Sequence, residues 1–193
     1  MNFVSKIFNR KNQSDMKFSN EKKNDSEIVK EFYAQYGLAM HTAQILERGL
    51  LELYALKRYV NEKLTEFDYY TILSNPDKLS LGKLNNLLFN LKFLDTETMQ
   101  NLMKANKYRI FLAHQFWWER DIEFNNHNAL VNLNKEIFSY IRDFNVLISI
   151  TDQSINKIKI DNKLNIEEKM GITDLDEREK YIKSLLLPKK KNK

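Results

Sequence analysis

The chain has 193 residues, 42% hydrophobic and 30% charged, enough for one ordinary domain with a buried core. It contains no cysteine, which excludes disulfides, thiolate metal sites and a cysteine nucleophile and fits a cytoplasmic protein. The net charge of +5 permits an anionic partner without requiring one, and no apolar run approaches the length of a membrane span, so stable membrane insertion is not expected.

Only 4 glycines and 2 prolines punctuate the sequence. Many tight hairpins need more turn formers than that, so long helices and an all-α fold are predicted. Residues 1–26 read as a polar lead. Phe3, Val4, Ile7 and Phe8 mark one apolar helical face beside basic residues, either in a mobile tail or in a weak anchor. Ser26 is a candidate cap for a helix over about 27–64. Leu46, Leu50, Leu53 and Leu56 recur there at helical steps, widened by Leu38 and Ile45, with Gly37 as a candidate break or bend.

Asp68–Ser80 reads as a connector turning at Asn75-Pro76-Asp77. Ser80 is the predicted N-cap of a second helix carrying Leu81, Leu84, Leu87, Leu88, Leu91 and Leu94. Asp95 or Thr96 opens a third, over about 97–120, with Met99, Leu102, Met103, Ile110, Ala113 and Trp117 on its apolar side. A fourth fits about 128–158, where Val131, Ile137, Ile141, Phe144, Ile148, Ile155 and Ile158 make a near-heptad stripe. Residues 161–193 read as a linker, a short helix capped at Thr173 and Asp176, and a basic tail. The predicted architecture is a bundle of four main helices over 27–160 with appended ends.

The stretch Tyr108-Arg109-Ile110-Phe111-Leu112-Ala113-His114-Gln115-Phe116 pairs a proton-transfer group with a fixed cation inside an apolar segment. An imidazole moves protons near neutral pH, and a guanidinium fork matches phosphate oxygens. Together they are the minimum equipment for breaking a phosphodiester without a metal. In a straight helix five residues turn about 500°, leaving Arg109 and His114 about 140° apart. The other reading of the same residues packs His114 against Phe111, Phe116 and Trp117 and pairs Arg109 with Glu47 or Glu119. His41, His114 and His127 lack zinc-ligand spacing, so neither a metal nor another cofactor is expected.

This segment, with its R…LAH.F form, resembles the HEPN superfamily (higher-eukaryote and prokaryote nucleotide-binding domains). Leu38–Glu47 is similar to the aQ..E helix of several such families, and Leu79–Leu84 to their tLG.L helix start. The resemblance covers about residues 30–150. It implies a metal-independent endoribonuclease working as a homodimer, of the kind found among toxins and antiphage defence effectors. Arg109 and His114 would be catalytic, supported by Glu47 and Gln44. Lys107 and Trp118 would contact RNA, and an antitoxin or regulatory protein would be a further partner. Two positions depart from the pattern. Ile110 stands where nuclease members usually carry a polar residue, most often Asn. Phe116 stands where relatives paired with nucleotidyltransferases carry a modified Tyr. The rival function is a non-catalytic helical module of the same fold that binds a nucleotide, RNA or a protein partner.

Overall fold

The computed structural model describes residues 25–91 and 94–164. Among these, six helices follow in chain order: α1 (Asp25–Asn61), α2 (Glu66–Leu73), α3 (Leu81–Asn90), α4 (Thr96–Ile110), α5 (Phe116–Arg120) and α6 (His127–Asp161). A π turn, Phe111–Gln115, joins α4 to α5. Single 3-10 turns occupy Pro76–Lys78 and Asp121–Asn125. No strand occurs among the described residues, so the fold is all-α, as the scarcity of turn formers predicts. The predicted N-terminal lead and the short C-terminal helix lie outside the described residues, apart from the start of α1 at Asp25.

Contacts divide the chain into two units. The first comprises the described residues through Ile45 together with Tyr108–Arg142, and its centre is aromatic. Phe32 on α1 is fully buried and stacks on Phe116 with ring centroids 5.5 Å apart. Phe124 meets Phe32 edge-on at 4.9 Å, and Trp117 lies against Tyr33 and Tyr36. Such pairs add about 0.5–1.5 kcal/mol each beyond the area they bury. Tyr36 meets Leu112 four residues before Phe116 and four after Phe32, so this half of α1 runs antiparallel to the α4–α5 path. On α6, Asn134 Nδ2 donates to the Ile28 carbonyl at 3.3 Å, and Tyr140 stacks on Tyr108 at 4.0 Å. Arg120 donates to Glu123 at 2.7 Å and Glu136 at 3.3 Å, with its guanidinium over the Phe111 ring. The Tyr140 hydroxyl donates to Glu136, and burial followed by that carboxylate pushes its phenol up.

The second unit comprises Leu46–Lys107 and the residues from Asp143 on, and its centre is aliphatic. Leu46, Leu50, Leu53 and Leu56 are all fully buried, as their helical spacing predicts, and so are Leu84, Leu88 and Phe144. A Cβ on Gly49 would lie 3.3 Å from Thr151 Cγ2, so α1 and α6 approach closely there. Three residues further along α1, Glu52 accepts a bond from Lys159 Nζ at 2.9 Å, which makes these halves of α1 and α6 parallel. Helix α3 runs antiparallel to α4: Asn85 Nδ2 donates to the Leu102 carbonyl at 3.0 Å, while Gly82 faces Asn106.

Four expectations are corrected. Gly37 does not interrupt α1, because helix 25–61 is continuous through it. The connector at Asp68–Ser80 begins instead as a helix, α2. Thr65 Oγ1 accepts the Asp68 N–H while the Asp68 carboxylate accepts the Thr65 N–H, a reciprocal cap readable as Thr-x-x-Asp, and Tyr69 and Tyr70 are buried behind it. The predicted helix over 97–120 is not one α-helix, since the π turn interrupts it. Its buried stripe also departs from the predicted one after Leu102. Thr98, Met99, Leu102, Ala105, Leu112 and Phe116 are buried, whereas Met103, Ile110 and Trp117 are exposed.

Candidate nucleic-acid site

The Arg109/His114 segment lies at the end of α4 and in the π turn, wholly within the first unit. Leu112 and Phe116 are both fully buried and anchor the turn. Between them the backbone takes one residue more than an α-turn holds. The Phe116 N–H donates to the Phe111 carbonyl, five residues back, rather than to Leu112. Gln115 absorbs the widening, with φ −118° and ψ −30°.

The Leu112 carbonyl thereby loses the donor that a regular α-helix would supply. Tyr36 of α1 takes over, its hydroxyl donating to Leu112 O at 2.5 Å. The Trp117 ring packs on the Tyr36 ring with centroids 5.1 Å apart. Burial pushes the Tyr36 phenol up, and Trp117 offsets part of that push. Tyr36, bonded to Leu112 and packed on Trp117, ties the turn to α1 from one side, and the Phe32–Phe116 stack ties it through the core.

The widened turn changes the motif's geometry. Bonding to the fifth residue lowers the rotation per residue, so the gap of about 140° expected of a straight helix narrows between Arg109 and His114. His114 is exposed, Arg109 half-buried, and Ile110 between them is 39% exposed. His114 is therefore not packed into the aromatic cluster as the alternative sequence reading has it. Trp117 takes that place, lining the cluster with one face open to solvent. Trp118 is 87% exposed and directed to solvent on α5.

The remaining sequence candidates are spread over both units. Gln44 and His41 are exposed on the part of α1 that belongs to the first unit. Glu47 and Lys107 belong to the second. Lys107 is exposed, one residue before the unit boundary on α4. Glu47 holds a helix end in place. Its carboxylate Oε1 accepts the Leu81 N–H at 2.5 Å, at the N-terminus of α3. Tyr36 was not among the sequence candidates. Its only signal is the Phe32-Tyr33-x-x-Tyr36 aromatic face at the start of α1, which by itself reads as core. Among the described residues no three His, Asp or Glu side chains come together as metal ligands, and no helix is long and apolar enough to cross a membrane. No protein-family model, curated protein or solved structure matches the chain.

Proposed function

We propose that this protein is a metal-independent endoribonuclease of the HEPN type, a toxin or antiphage defence effector that cuts RNA in the cytoplasm as a homodimer. The observation that carries the reading is the π turn. It leaves His114 exposed and narrows its angle to Arg109, the two groups that phosphodiester cleavage without a metal requires. His114 takes the proton from a ribose 2′-OH, O2′ attacks phosphorus, and the P–O5′ bond breaks. His114 of the partner subunit returns a proton to the departing O5′. Arg109 holds the non-bridging oxygens and stabilises the charge that develops on them. The products are a 2′,3′-cyclic phosphate and a 5′-hydroxyl. DNA, which lacks the 2′-OH, is spared.

Trp118 and Lys107 fit the same reading as RNA contacts. An indole exposed on a helix is a stacking platform for an unpaired base, and an ammonium pairs with backbone phosphates. Ile110 favours the second reading, a non-catalytic module of the same fold that binds RNA, a nucleotide or a protein. A half-exposed apolar side chain beside Arg109 offers a phosphate no hydrogen bond and suits a docking surface.

The deciding experiment incubates purified protein with single-stranded RNA in EDTA. The ribonuclease reading expects 2′,3′-cyclic phosphate ends and a rate that His114→Ala lowers by about 10²–10⁴-fold, the usual contribution of a positioned proton-transfer group. Ile110→Asn should raise the rate by supplying a polar neighbour to the phosphate. RNA or partner binding that His114→Ala leaves intact, with no cleavage by any form on a broad RNA panel, selects the module instead.

A further inference from the structure

We infer that Tyr36 is a positioning residue: its hydroxyl selects the π register of the Phe111–Gln115 turn and thereby sets where His114 stands relative to Arg109. The catalytic half of this inference rests on the ribonuclease reading above; the register half does not.

The starting point is competition for one acceptor. In an α register the Phe116 N–H would bond Leu112 O. In the observed register it bonds Phe111 O, and the Tyr36 hydroxyl occupies Leu112 O. Leu112 is fully buried, so its carbonyl lies where water offers little compensation for a missing donor. A π turn is uncommon because each added residue widens the helix and weakens its packing, and it persists where the surroundings hold it. Here the holding contacts are Tyr36 Oη on Leu112 O, the Trp117 ring against Tyr36 and the Phe32–Phe116 stack, and of these only the Tyr36 hydroxyl competes for the Leu112 carbonyl. Without the Tyr36 hydroxyl, the buried carbonyl regains a protein donor by recovering the Phe116 N–H. That step removes the widening and turns the residues inside it relative to the Arg109 end of α4, while the Phe32–Phe116 stack holds the segment beyond. His114 lies inside the stretch that rotates, whereas Arg109 precedes it.

Tyr36→Phe removes one oxygen and keeps the ring that packs on Phe32 and Phe116, so the fold should survive. Two measurements on the full-length protein decide the matter. Backbone carbonyl and amide resonances of Leu112, Phe116 and Trp117 report the register, and steady-state cleavage of single-stranded RNA in EDTA reports the chemistry. The expected result is a shift of the Phe116 amide and Leu112 carbonyl signals towards α-helical bonding. The cleavage rate constant should fall on the order of 10²-fold, the scale for a displaced catalytic group, with KM little changed. Trp117→Phe, which keeps an aromatic ring against Tyr36 and leaves the Tyr36 hydroxyl in place, should give a smaller change of the same kind. Tyr33→Phe on the neighbouring exposed ring should change neither.

A Tyr36→Phe protein that keeps the π-turn resonances overturns the inference, whatever its rate. A changed register with an unchanged kcat overturns the positioning role. A wild type that cuts no RNA sinks the ribonuclease reading and the catalytic half with it, while the resonances still decide whether Tyr36 sets the register.

Discussion

Glu47 and Ser80 make opposite predictions at one helix end. By sequence, Ser80 is the residue that should cap α3. Its backbone does take the capping conformation, φ −64° and ψ 160°, but its side chain makes no capping bond. The bond comes from Glu47, 34 residues earlier, whose Oε1 accepts the Leu81 N–H. Leu81 is only 1% exposed, so that N–H has little access to water if the carboxylate is removed. A hydrogen bond to a charged group contributes about 1.5–3 kcal/mol. The carboxylate also sits at the positive end of the helix dipole, worth about 0.3–1 kcal/mol more. Glu47→Ala should therefore cost about 2–4 kcal/mol, Glu47→Gln about half of that because an amide oxygen still accepts, and Ser80→Ala under about 0.5 kcal/mol. With a urea slope of about 2 kcal/mol/M, the midpoint should fall by about 1–2 M for Glu47→Ala and hardly move for Ser80→Ala. Amide exchange at Leu81 should accelerate in the first and not in the second. The reasoning is refuted if Ser80→Ala proves the costlier change, or if Glu47→Ala stays within about 0.5 kcal/mol of the wild type.

Three further outcomes are expected. Gly37 sits within continuous α1 with nothing near the position of an added Cβ, so Gly37→Ala should raise stability by about 0.5–1 kcal/mol in urea melts; a loss would mean that the glycine serves a contact. Burial first, and then the neighbouring Glu52, raise the Asp152 carboxyl above its ordinary value of 3.8, with Lys159 opposing. A raised carboxyl favours the protonated folded form, so its contribution is fully present below that ordinary value and is lost as pH climbs through the folded one. Asp152→Asn should thus stabilise the protein at pH 7, by under about 1 kcal/mol once solvent screening of a half-buried group is allowed for, and the gain should vanish near pH 3 in melts run across that range. If the proposed ribonuclease reading holds, Arg109→Lys should lower RNA cleavage, because a point charge does not reproduce the planar fork; equal rates for the two proteins would remove Arg109 from that reaction.

The aliphatic half of the fold is legible because it obeys a local rule. Leu46, Leu50, Leu53 and Leu56 repeat at helical steps on a single helix, and every one is buried. The α6 stripe follows the same rule from Ile137 to Ile158. Helix α2 also carries a signal, the Thr65-x-x-Asp68 box, but the Asn75-Pro76 turn beside it is the louder one and points to a connector. The altered stripe of α4 has a different cause. Met103, Ile110 and Trp117 are spaced by seven and are all apolar, and so are Leu102, Leu112 and Phe116, each within two positions of one of them. Composition along one helix does not say which of two neighbouring rows faces inward. Aromatic partners elsewhere decide it, above all Phe32 stacked on Phe116.

The site shows the same limit more sharply. Arg109 and His114 can be picked out by residue type alone, and their spacing of five can be counted. What that spacing means in three dimensions depends on how many residues the turn between them holds. An α-turn sets the two groups about 140° apart, and the smaller rotation per residue of a π turn reduces that angle. The choice between the two is made by a hydroxyl 76 positions before Leu112 in the chain, on a helix whose own pattern is fully explained by packing. A one-residue change of register is small in local energy, since one N–H moves between two neighbouring carbonyls. It is large in consequence, because it turns the residues inside the turn, His114 among them. A motif read from spacing is therefore least informative at a helix irregularity, and such irregularities recur at functional sites. For this chain the Tyr36–Leu112 bond carries more information about the motif than the identity of any residue between Arg109 and His114.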